Sequence, residues 1–216
     1  MTTYRPAQLD PHQIKAIIFD LDGTLYVSEP FEQAVWHSVT RYVGDLLSLP
    51  PEAAAATLSA TRQRLSEERQ TLQTLAATIE SLGGTVQELH HRFAAELHPE
   101  QLIEPDPRVA PLLQALQQRY TSWLLTNNNR TLTDKIMGRL GVQDCFERVI
   151  TINDTWRPKP DDAVLDALLK ELALPPHAVL FVGDRYDIDL RLPQQRGCPV
   201  LLTRTPDELL LLDQLL

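Results

Sequence analysis

The sequence predicts an α/β fold, in which a Rossmann-like parallel sheet carries helices on both faces and an all-α cap domain is added to it. Along most of the 216 residues, short apolar runs alternate with longer stretches of helical periodicity, a rhythm typical of βαβ units. Residues 28–104 break this rhythm, because they hold helical patterns without a convincing strand and are too many for a loop. We therefore predict a discontinuous core domain, residues 1–27 and 105–216, and a helical cap domain, residues 28–104.

Five apolar runs are predicted to form the strands of the sheet. They lack the polar alternation of a half-exposed strand, which favours a sheet covered on both faces. The runs are Ala16–Asp20, Ser122–Thr126, Arg148–Ile152, Val179–Gly183 and Val200–Thr203. Right-handed crossovers place the carboxyl ends of all parallel strands at one edge, and open α/β sheets bind their ligands at that edge.

Helical periodicity predicts further elements in both domains. In the core domain they are Pro107–Arg119, Thr131–Leu140, Asp161–Leu172, Ile188–Arg196 and Pro206–Leu215. In the cap domain they are Phe31–Leu49, Pro51–Arg69, Leu72–Leu82 and Thr85–Leu97. Thr85 followed by Glu88 is a capping-box pattern that marks the start of the last of these helices. Because the cap domain begins directly after the first strand, we expect it to cover the carboxyl ends of the strands.

Composition and charge argue against several classes of partner. The net charge of −9 disfavours binding to the phosphate backbone of nucleic acids. No apolar stretch of the sequence approaches the ~20 residues of a membrane span, and Met1–Ile14 lacks the apolar core of a signal peptide. Cys145 and Cys198 have no metal-binding spacing and are expected to be reduced core thiols. We predict a cytoplasmic protein that binds neither nucleic acid nor membrane, and the sequence leaves its oligomeric state open.

Two aspartates one residue apart, Asp20 and Asp22, end the first predicted strand and are followed by Gly23. One carboxylate in such a pair can attack phosphorus while the other passes a proton to the leaving oxygen. Gly23 permits the tight bend that lets both reach one substrate. The alternative is an acidic turn that caps a helix. The buried apolar run directly before the pair makes that alternative less favoured.

Polar residues also mark the end of the second predicted strand and the start of a later helix. Thr126 and Asn127 end the second strand, where they could donate hydrogen bonds to a phosphoryl group. Taken alone, this pair is more typical of a turn or a helix N-cap. Lys159 lies between two prolines, which hold its backbone stiff. A fixed ammonium group there could neutralise a carboxylate and a phosphoryl group, although most lysines are simply solvated.

The fourth predicted strand ends in Asp184, and a second carboxylate, Asp189, follows five positions later. Hard oxygen ligands at a strand end suit Mg²⁺, whereas the alternative is an acidic start to a helix. If Asp20, Asp22 and Asp184 converge, their three negative charges face one lysine and a phosphomonoester that adds up to two more. A divalent cation relieves that repulsion, so the sequence predicts dependence on Mg²⁺.

These four stretches, in this order, resemble the four motifs of the haloacid dehalogenase-like (HAD) hydrolase superfamily. The resemblance covers about residues 14–26 and 105–205, and the helical insert resembles a type 1 cap. It implies that Asp20 is a nucleophile that becomes an aspartyl phosphate, that Asp22 is the general acid and then the general base, and that Lys159 is the lysine of the third motif.

The resemblance also implies which residues bind the substrate and the metal. Gly23, Thr126 and Asn127 are the expected phosphate-binding residues. Asp189 is expected to act on the metal through water or through the direct ligands. The predicted metal site consists of Asp20, Asp22 through its backbone carbonyl, Asp184 and Asp189.

The expected function is Mg²⁺-dependent hydrolysis of a small phosphorylated metabolite through an aspartyl-phosphate intermediate. A phosphomutase of the β-phosphoglucomutase type stays open, because it keeps the same acid and a similar cap. The alternative from another class is a non-catalytic binding protein that kept the fold, against which the complete set of motif residues argues. A dehalogenase is disfavoured, because that chemistry in the family uses neither the acid Asp22 nor a metal.

Inward-facing side chains of the cap are expected to set the specificity for substrate. His37, Arg41 and Arg62 are the candidates, although each is more often a solvated helix residue. Trp36 and Tyr42 are expected in the core of the cap.

Overall fold

The computed structural model describes residues 10–216, so the first nine residues of the predicted core domain lie outside the described range. Its centre is a five-stranded sheet in which every neighbouring pair is parallel and the strand order is β3-β2-β1-β4-β5. The strands are β1 (Ala16–Phe19), β2 (Thr121–Leu125), β3 (Arg148–Ile150), β4 (Val179–Gly183) and β5 (Val200–Leu202). The predicted α/β fold is confirmed, and each predicted apolar run forms a strand.

The central strand β1 is buried on both faces, which explains its unbroken apolar sequence. Ile17 and Phe19 point into one apolar cluster, and Ala16 and Ile18 point into another on the opposite face. Complete burial of a side chain such as Phe19 stabilises the fold by about 1.5–3 kcal/mol. The two clusters hold helices against both faces of the sheet, as the sequence predicts.

The helices follow the predicted pattern with shifted ends. In residues 28–104 they are α1 (Glu29–Leu47), α2 (Pro51–Arg69), α3 (Leu75–Ser81), α4 (Val86–Glu96) and α5 (Pro99–Leu102). In the rest of the described chain they are α6 (Val109–Gln117), α7 (Arg130–Leu140), α8 (Ile152–Thr155), α9 (Asp162–Leu172), α10 (Arg191–Gln195), α11 (Pro206–Leu210) and α12 (Leu212–Leu215). None of the helices in residues 10–216 is both long and apolar enough to cross a membrane.

Helix ends move where a side chain caps the backbone. Helix α1 begins at Glu29, before the predicted Phe31, because the Ser28 hydroxyl accepts a hydrogen bond from the Phe31 amide. Helix α3 begins later than predicted, at Leu75, because the Thr74 hydroxyl accepts from the Ala77 amide. The short helices α5 and α8 are not predicted from the sequence, since four residues are too few to show a period.

The predicted helix Ile188–Arg196 is wrong over its first three residues. The chain forms a wide π-type turn over Tyr186–Leu190, and only then the short helix α10. Pro193 has no amide hydrogen for the carbonyl of Asp189, so an ordinary helical ladder cannot run through this point. The predicted helix Pro206–Leu215 is likewise divided into α11 and α12.

Residues 28–104 form five helices and no strand, as predicted. The Thr85–Glu88 capping pattern at α4 is completed by Tyr42 of α1, whose hydroxyl accepts from the Thr85 amide and donates to the Glu88 carboxylate. Apolar side chains of α1, α2 and α4 belong to the same cluster as Phe19 on one sheet face. The domain boundaries at residues 28 and 104 stay a prediction, because this cluster is continuous across them.

Candidate active site

Polar side chains gather at the carboxyl edge of the sheet, around the end of β1. Asp20 follows β1, and its amide donates to the Val182 carbonyl at 2.9 Å, which extends the pairing with β4 by one residue. Thr126 follows β2 and Asp184 follows β4. Because β1 lies between β2 and β4, this edge is a topological switch point, the usual ligand site of open α/β sheets.

A buried lysine lies between two buried carboxylates at this edge. The Nζ atom of Lys159 is 2.6 Å from Oδ1 of Asp20 and 2.8 Å from Oδ1 of Asp189, and it donates to the Leu125 carbonyl at 2.8 Å. The side chains of Lys159, Asp20 and Asp189 are 7%, 3% and 3% exposed. The structure therefore brings these three predicted site residues into direct contact, and the solvated-lysine alternative is wrong for Lys159.

Burial and neighbouring charges shift the pKa values of this group. Burial raises the pKa of Asp20 to about 7, and the nearby Lys159 ammonium offsets part of that rise. Burial lowers the pKa of Lys159, but Asp189 and Asp20 outweigh it, so the pKa of Lys159 lies above its usual value. Burial also raises the pKa of Asp184 to about 6, against the opposing effect of Arg185. Lys159 and Arg185 together thus supply less positive charge than Asp20, Asp184 and Asp189 supply negative charge when all are ionised.

The side chain of Asp22 is held from two sides and lines a cavity. Its Oδ1 accepts from the Tyr26 hydroxyl at 2.5 Å, and its Oδ2 accepts from Nδ2 of Asn128 at 2.7 Å. Neither of these two partners of Asp22 is predicted from the sequence. Asn128 lies within three consecutive asparagines after β2, a run that marks a polar strand end but does not indicate which of the three contacts Asp22.

Gly23 is required by the close approach of Asp184. Its φ is +77°, a value that favours glycine, and a Cβ atom there would lie 2.6 Å from Cγ of Asp184. Gly183 has a similar role, since a Cβ on it would lie 2.6 Å from Cβ of Asp189. Gly23 also lines the cavity, and its contact with phosphate stays a prediction.

Thr126 and Asn127 organise the loops around the site. The Thr126 hydroxyl is buried and accepts from the Asn128 amide at 3.1 Å, which is the turn that the alternative interpretation described. The Asn127 side chain accepts from the Lys159 amide at 2.7 Å and donates to the Lys159 carbonyl at 3.3 Å. Asn127 therefore fixes the backbone that carries Lys159, and the phosphate contacts of both residues stay predictions.

Three carboxylates are close enough to hold a metal ion. Asp20, Asp184 and Asp189 each offer an oxygen within 4.8 Å of the others. Among residues 10–216, the buried Oδ1 of Asp184 has no hydrogen-bond partner, and Nε of Arg185 lies 3.5 Å from it. The carboxylate of Asp22 is not in this group, which leaves its backbone carbonyl as the predicted ligand. Hard oxygen donors of this kind fit Mg²⁺.

A cavity of about 890 Å³ lies between this edge and the cap helices. Its floor includes Asp22, Asp184 and Arg185, and its walls include side chains of α1, α2 and α4. Its size is that of a small-molecule site.

The structure sorts the candidate specificity residues of the cap. His37 and Arg62 line the cavity, whereas Arg41 does not and instead pairs with Glu96 at 2.6 Å. Trp36 lines the cavity and is only partly buried against the core, so the expectation that it lies in the cap core is confirmed only in part. Tyr42 is buried in that core, as predicted.

Comparison with known proteins agrees with this arrangement. Residues 14–195 match the family model of the haloacid dehalogenase-like hydrolases. The phosphoglycolate phosphatase of Yersinia pestis is 28% identical over 189 residues, which are 87% of this chain and 80% of that protein. The N-acetylmuramic acid 6-phosphate phosphatase of Pseudomonas aeruginosa is 26% identical over 173 residues, 80% of this chain and 74% of that protein.

A solved structure shares the fold over almost its full length. The HAD phosphatase of Thermococcus onnurineus superimposes with a TM-score of 0.62 at 20% identity, and the match covers 93% of this chain and 97% of that one. The family model and the fold agree with the four motifs that the sequence carries at the edge of its sheet. The chain therefore belongs to the haloacid dehalogenase-like hydrolase family.

Proposed function

We propose that this enzyme is a phosphatase that hydrolyses a phosphomonoester of a small metabolite through an aspartyl phosphate on Asp20. The observation that carries the proposal is the 2.6 Å contact between Asp20 and the buried ammonium of Lys159, with Asp22 beside it at a cavity of metabolite size. The phosphatases among the relatives support the same class of reaction.

The proposed reaction has two steps, phosphoryl transfer to Asp20 and hydrolysis of the aspartyl phosphate. An Asp20 carboxylate oxygen forms a bond to phosphorus while the ester P–O bond breaks, and Asp22 gives its proton to the leaving alkoxide. Asp22 then takes a proton from water, whose oxygen attacks the aspartyl phosphate and releases inorganic phosphate. Lys159 supplies positive charge next to the reacting carboxylate throughout.

The proposed metal site consists of Asp20, Asp184 and Asp189, with the backbone carbonyl of Asp22. The support is the orphaned Oδ1 of Asp184 and the excess of negative charge described above. When bound, Mg²⁺ supplies positive charge that lets a phosphate dianion enter a group of carboxylates. Asp189 also pairs with Lys159, so it links the metal site to the lysine.

Phosphate release from a panel of phosphorylated metabolites in the presence of Mg²⁺ tests the proposal. We expect turnover by the wild type and by Asp166→Asn, whose carboxylate pairs with Arg196 on the surface. We expect none with Asp20→Asn. Equal rates for wild type and Asp20→Asn would contradict the proposal.

The same panel separates the alternatives from the sequence. A phosphomutase would return an isomerised sugar phosphate, whereas a phosphatase releases free phosphate. A non-catalytic protein would give neither product. Beryllofluoride, a phosphoryl mimic, is expected to bind Oδ of Asp20, and a crystal structure that shows this atom without it would argue against the intermediate.

A further inference from the structure

The arginines of the cap helices differ sharply in their partners. Residues 28–104 contain five arginines and no lysine. Three of the arginines pair with carboxylates, in the ion pairs Arg41–Glu96, Arg64–Glu68 and Arg92–Asp45. A fourth, Arg69, is exposed to solvent and binds the side-chain oxygen of Gln73. The fifth, Arg62 on α2, is partly buried, pairs with no carboxylate in the described part of the chain, and lines the cavity of the candidate active site.

The guanidinium of Arg62 is fixed in orientation but not neutralised. Its Nε donates to the Gln73 carbonyl at 2.9 Å. The Ser66 hydroxyl donates to the Arg62 carbonyl and accepts from the Gln73 amide, which ties helix α2 to this loop. Within residues 10–216, no side chain or carbonyl accepts a hydrogen bond from the two terminal nitrogens of Arg62. They are left available to a ligand in the cavity.

The surroundings of Arg62 destabilise its positive charge when no anion is bound. Burial lowers the pKa of Arg62, and the positive charge of Arg185 on the cavity floor lowers it further. Arg185 is itself balanced, because its Nε lies 3.5 Å from Asp184 and 3.9 Å from Asp189. Arg62 has no such balance, and a partly buried guanidinium is stabilised most by an oxyanion that it can bind through two nitrogens.

The part of the cavity wall that α1 forms carries the reverse charge. Glu29 and Glu32, at the start of α1, line it. An anionic group in the cavity is therefore repelled from the α1 wall and attracted towards the α2 wall. The charges of the cap helices therefore favour an anion beside Arg62.

We propose that Arg62 binds a second anionic group of the substrate, a carboxylate or a second phosphate, on the α2 side of the cavity. This inference rests on the proposed phosphatase function and names the substrate class for the same cavity. Arg62 is a specificity residue in this proposal, because its terminal nitrogens contact the substrate but not the bond that breaks.

Matched esters test the proposal. The esters are alkyl phosphates with linkers of two to four carbons. They differ in the group at the far end, which is a methyl group, a carboxylate or a second phosphate. We expect the wild type to prefer an anionic ester, and Arg62→Gln to lower kcat/KM for it at least about tenfold, mainly through KM. The alkyl esters without a second charge should keep their kcat/KM, and the preferred end group identifies the anion.

The control is Arg64→Gln, two residues away on the same helix, whose side chain is exposed and paired with Glu68. It should leave all kcat/KM values unchanged. Arg62→Lys keeps the charge and should recover part of the preference if Arg62→Gln fails to fold. An equal loss for charged and uncharged esters, or no loss at all, would overturn the proposal.

A binding measurement separates this inference from the proposed function. Alkylphosphonates with and without a terminal carboxylate or second phosphonate are titrated into the wild type and into Arg62→Gln with Mg²⁺. If no ester is hydrolysed but the wild type still prefers the charged phosphonate through Arg62, the function fails and the subsite stands. If esters are hydrolysed without any preference, the subsite fails and the function stands.

Discussion

At the scale of single residues, Asp22 has the most demanding position, because in the proposed reaction it must give a proton and later take one back. Its two oxygens are held by the Tyr26 hydroxyl and the Asn128 amide. In the proposed reaction these two hydrogen bonds orient the carboxylate towards the leaving oxygen.

Asn128→Ala should lower kcat about ten- to a hundredfold with little change in KM, because a misdirected acid costs rate rather than binding. The loss should be large for alkyl esters, whose leaving group needs a proton, and small for a p-nitrophenyl ester, whose leaving group does not. Steady-state kinetics on both esters measure the difference. Equal losses on both would show that Asn128 supports the fold and not the acid.

Gly23 and Gly141 form a matched pair for a second test. Both have positive φ, +77° and +70°. A Cβ on Gly141 meets no atom of the described residues within 4 Å, whereas one on Gly23 meets Asp184. Gly141→Ala should cost about 1 kcal/mol in the free energy of unfolding and keep activity. Gly23→Ala should cost more and abolish activity, as measured by denaturant unfolding and phosphate release. Equal behaviour of the two variants would contradict the assigned role of Gly23.

At the scale of elements, α4 carries a buried histidine into the wall of the cavity. His90 is 6% exposed, and its Nδ1 has no hydrogen-bond partner within residues 10–216. Burial lowers its pKa to about 4. The folded protein therefore keeps His90 neutral at pH values where the unfolded chain, with an ordinary pKa near 6.5, already binds a proton.

Acidification therefore lowers the free energy of unfolding through His90. Above pH 6.5 His90 is neutral in both states and contributes nothing; between pH 6.5 and about 4 only the unfolded state gains the proton, at a cost of up to about 3 kcal/mol. His90→Gln should therefore lose less unfolding free energy over this interval than the wild type. His91→Gln, at an exposed neighbouring position, is the control. Parallel pH profiles for wild type and His90→Gln would contradict the shift.

Some elements and contacts of the fold can be predicted from the sequence, and others cannot. The strands are predicted well because runs such as Val179–Gly183 are apolar throughout and too short for a buried helix. The turn Tyr186–Leu190 is not predicted, although Pro193 interrupts the helical ladder there, because helical periodicity does not show that Asp189 contacts Lys159, which is distant in sequence. The same holds for Asn128, since an asparagine after a strand is more often a cap, and only the folded chain shows that it meets Asp22. Arg41 and Arg62 are indistinguishable in sequence, and the ion pair with Glu96 separates them.

At the scale of the whole molecule, charge is concentrated at one end of the sheet. Asp20, Asp184 and Asp189 share this end with Lys159 and Arg185, and the chain as a whole is acidic, with a net charge of −9. Removing a carboxylate there relieves repulsion in the metal-free protein and weakens the attraction for a cation.

Mg²⁺ at a concentration a hundredfold above its Kd should raise the free energy of unfolding of the wild type by about 2.7 kcal/mol. The Tm should rise with it, and chelation should reverse both changes. Asp184→Asn should lose this gain while its metal-free form stays as stable as the wild type or more so. Asp187→Asn, whose carboxylate faces Arg191, is the control and should keep the gain. Thermal unfolding with and without Mg²⁺ measures all three proteins. A full Mg²⁺ gain in Asp184→Asn would contradict the proposed ligand.

The order of the strands has a consequence for how the protein tolerates fluctuation. The strand β1 has two strands on either side, so fraying of β3 or β5 at a margin leaves the chain around Asp20 hydrogen-bonded. The Asp20 amide, bonded to Val182, should exchange its hydrogen for deuterium among the slowest in the molecule. The carboxylate that attacks phosphorus in the proposed reaction is thus attached to the part of the sheet that we expect to open last.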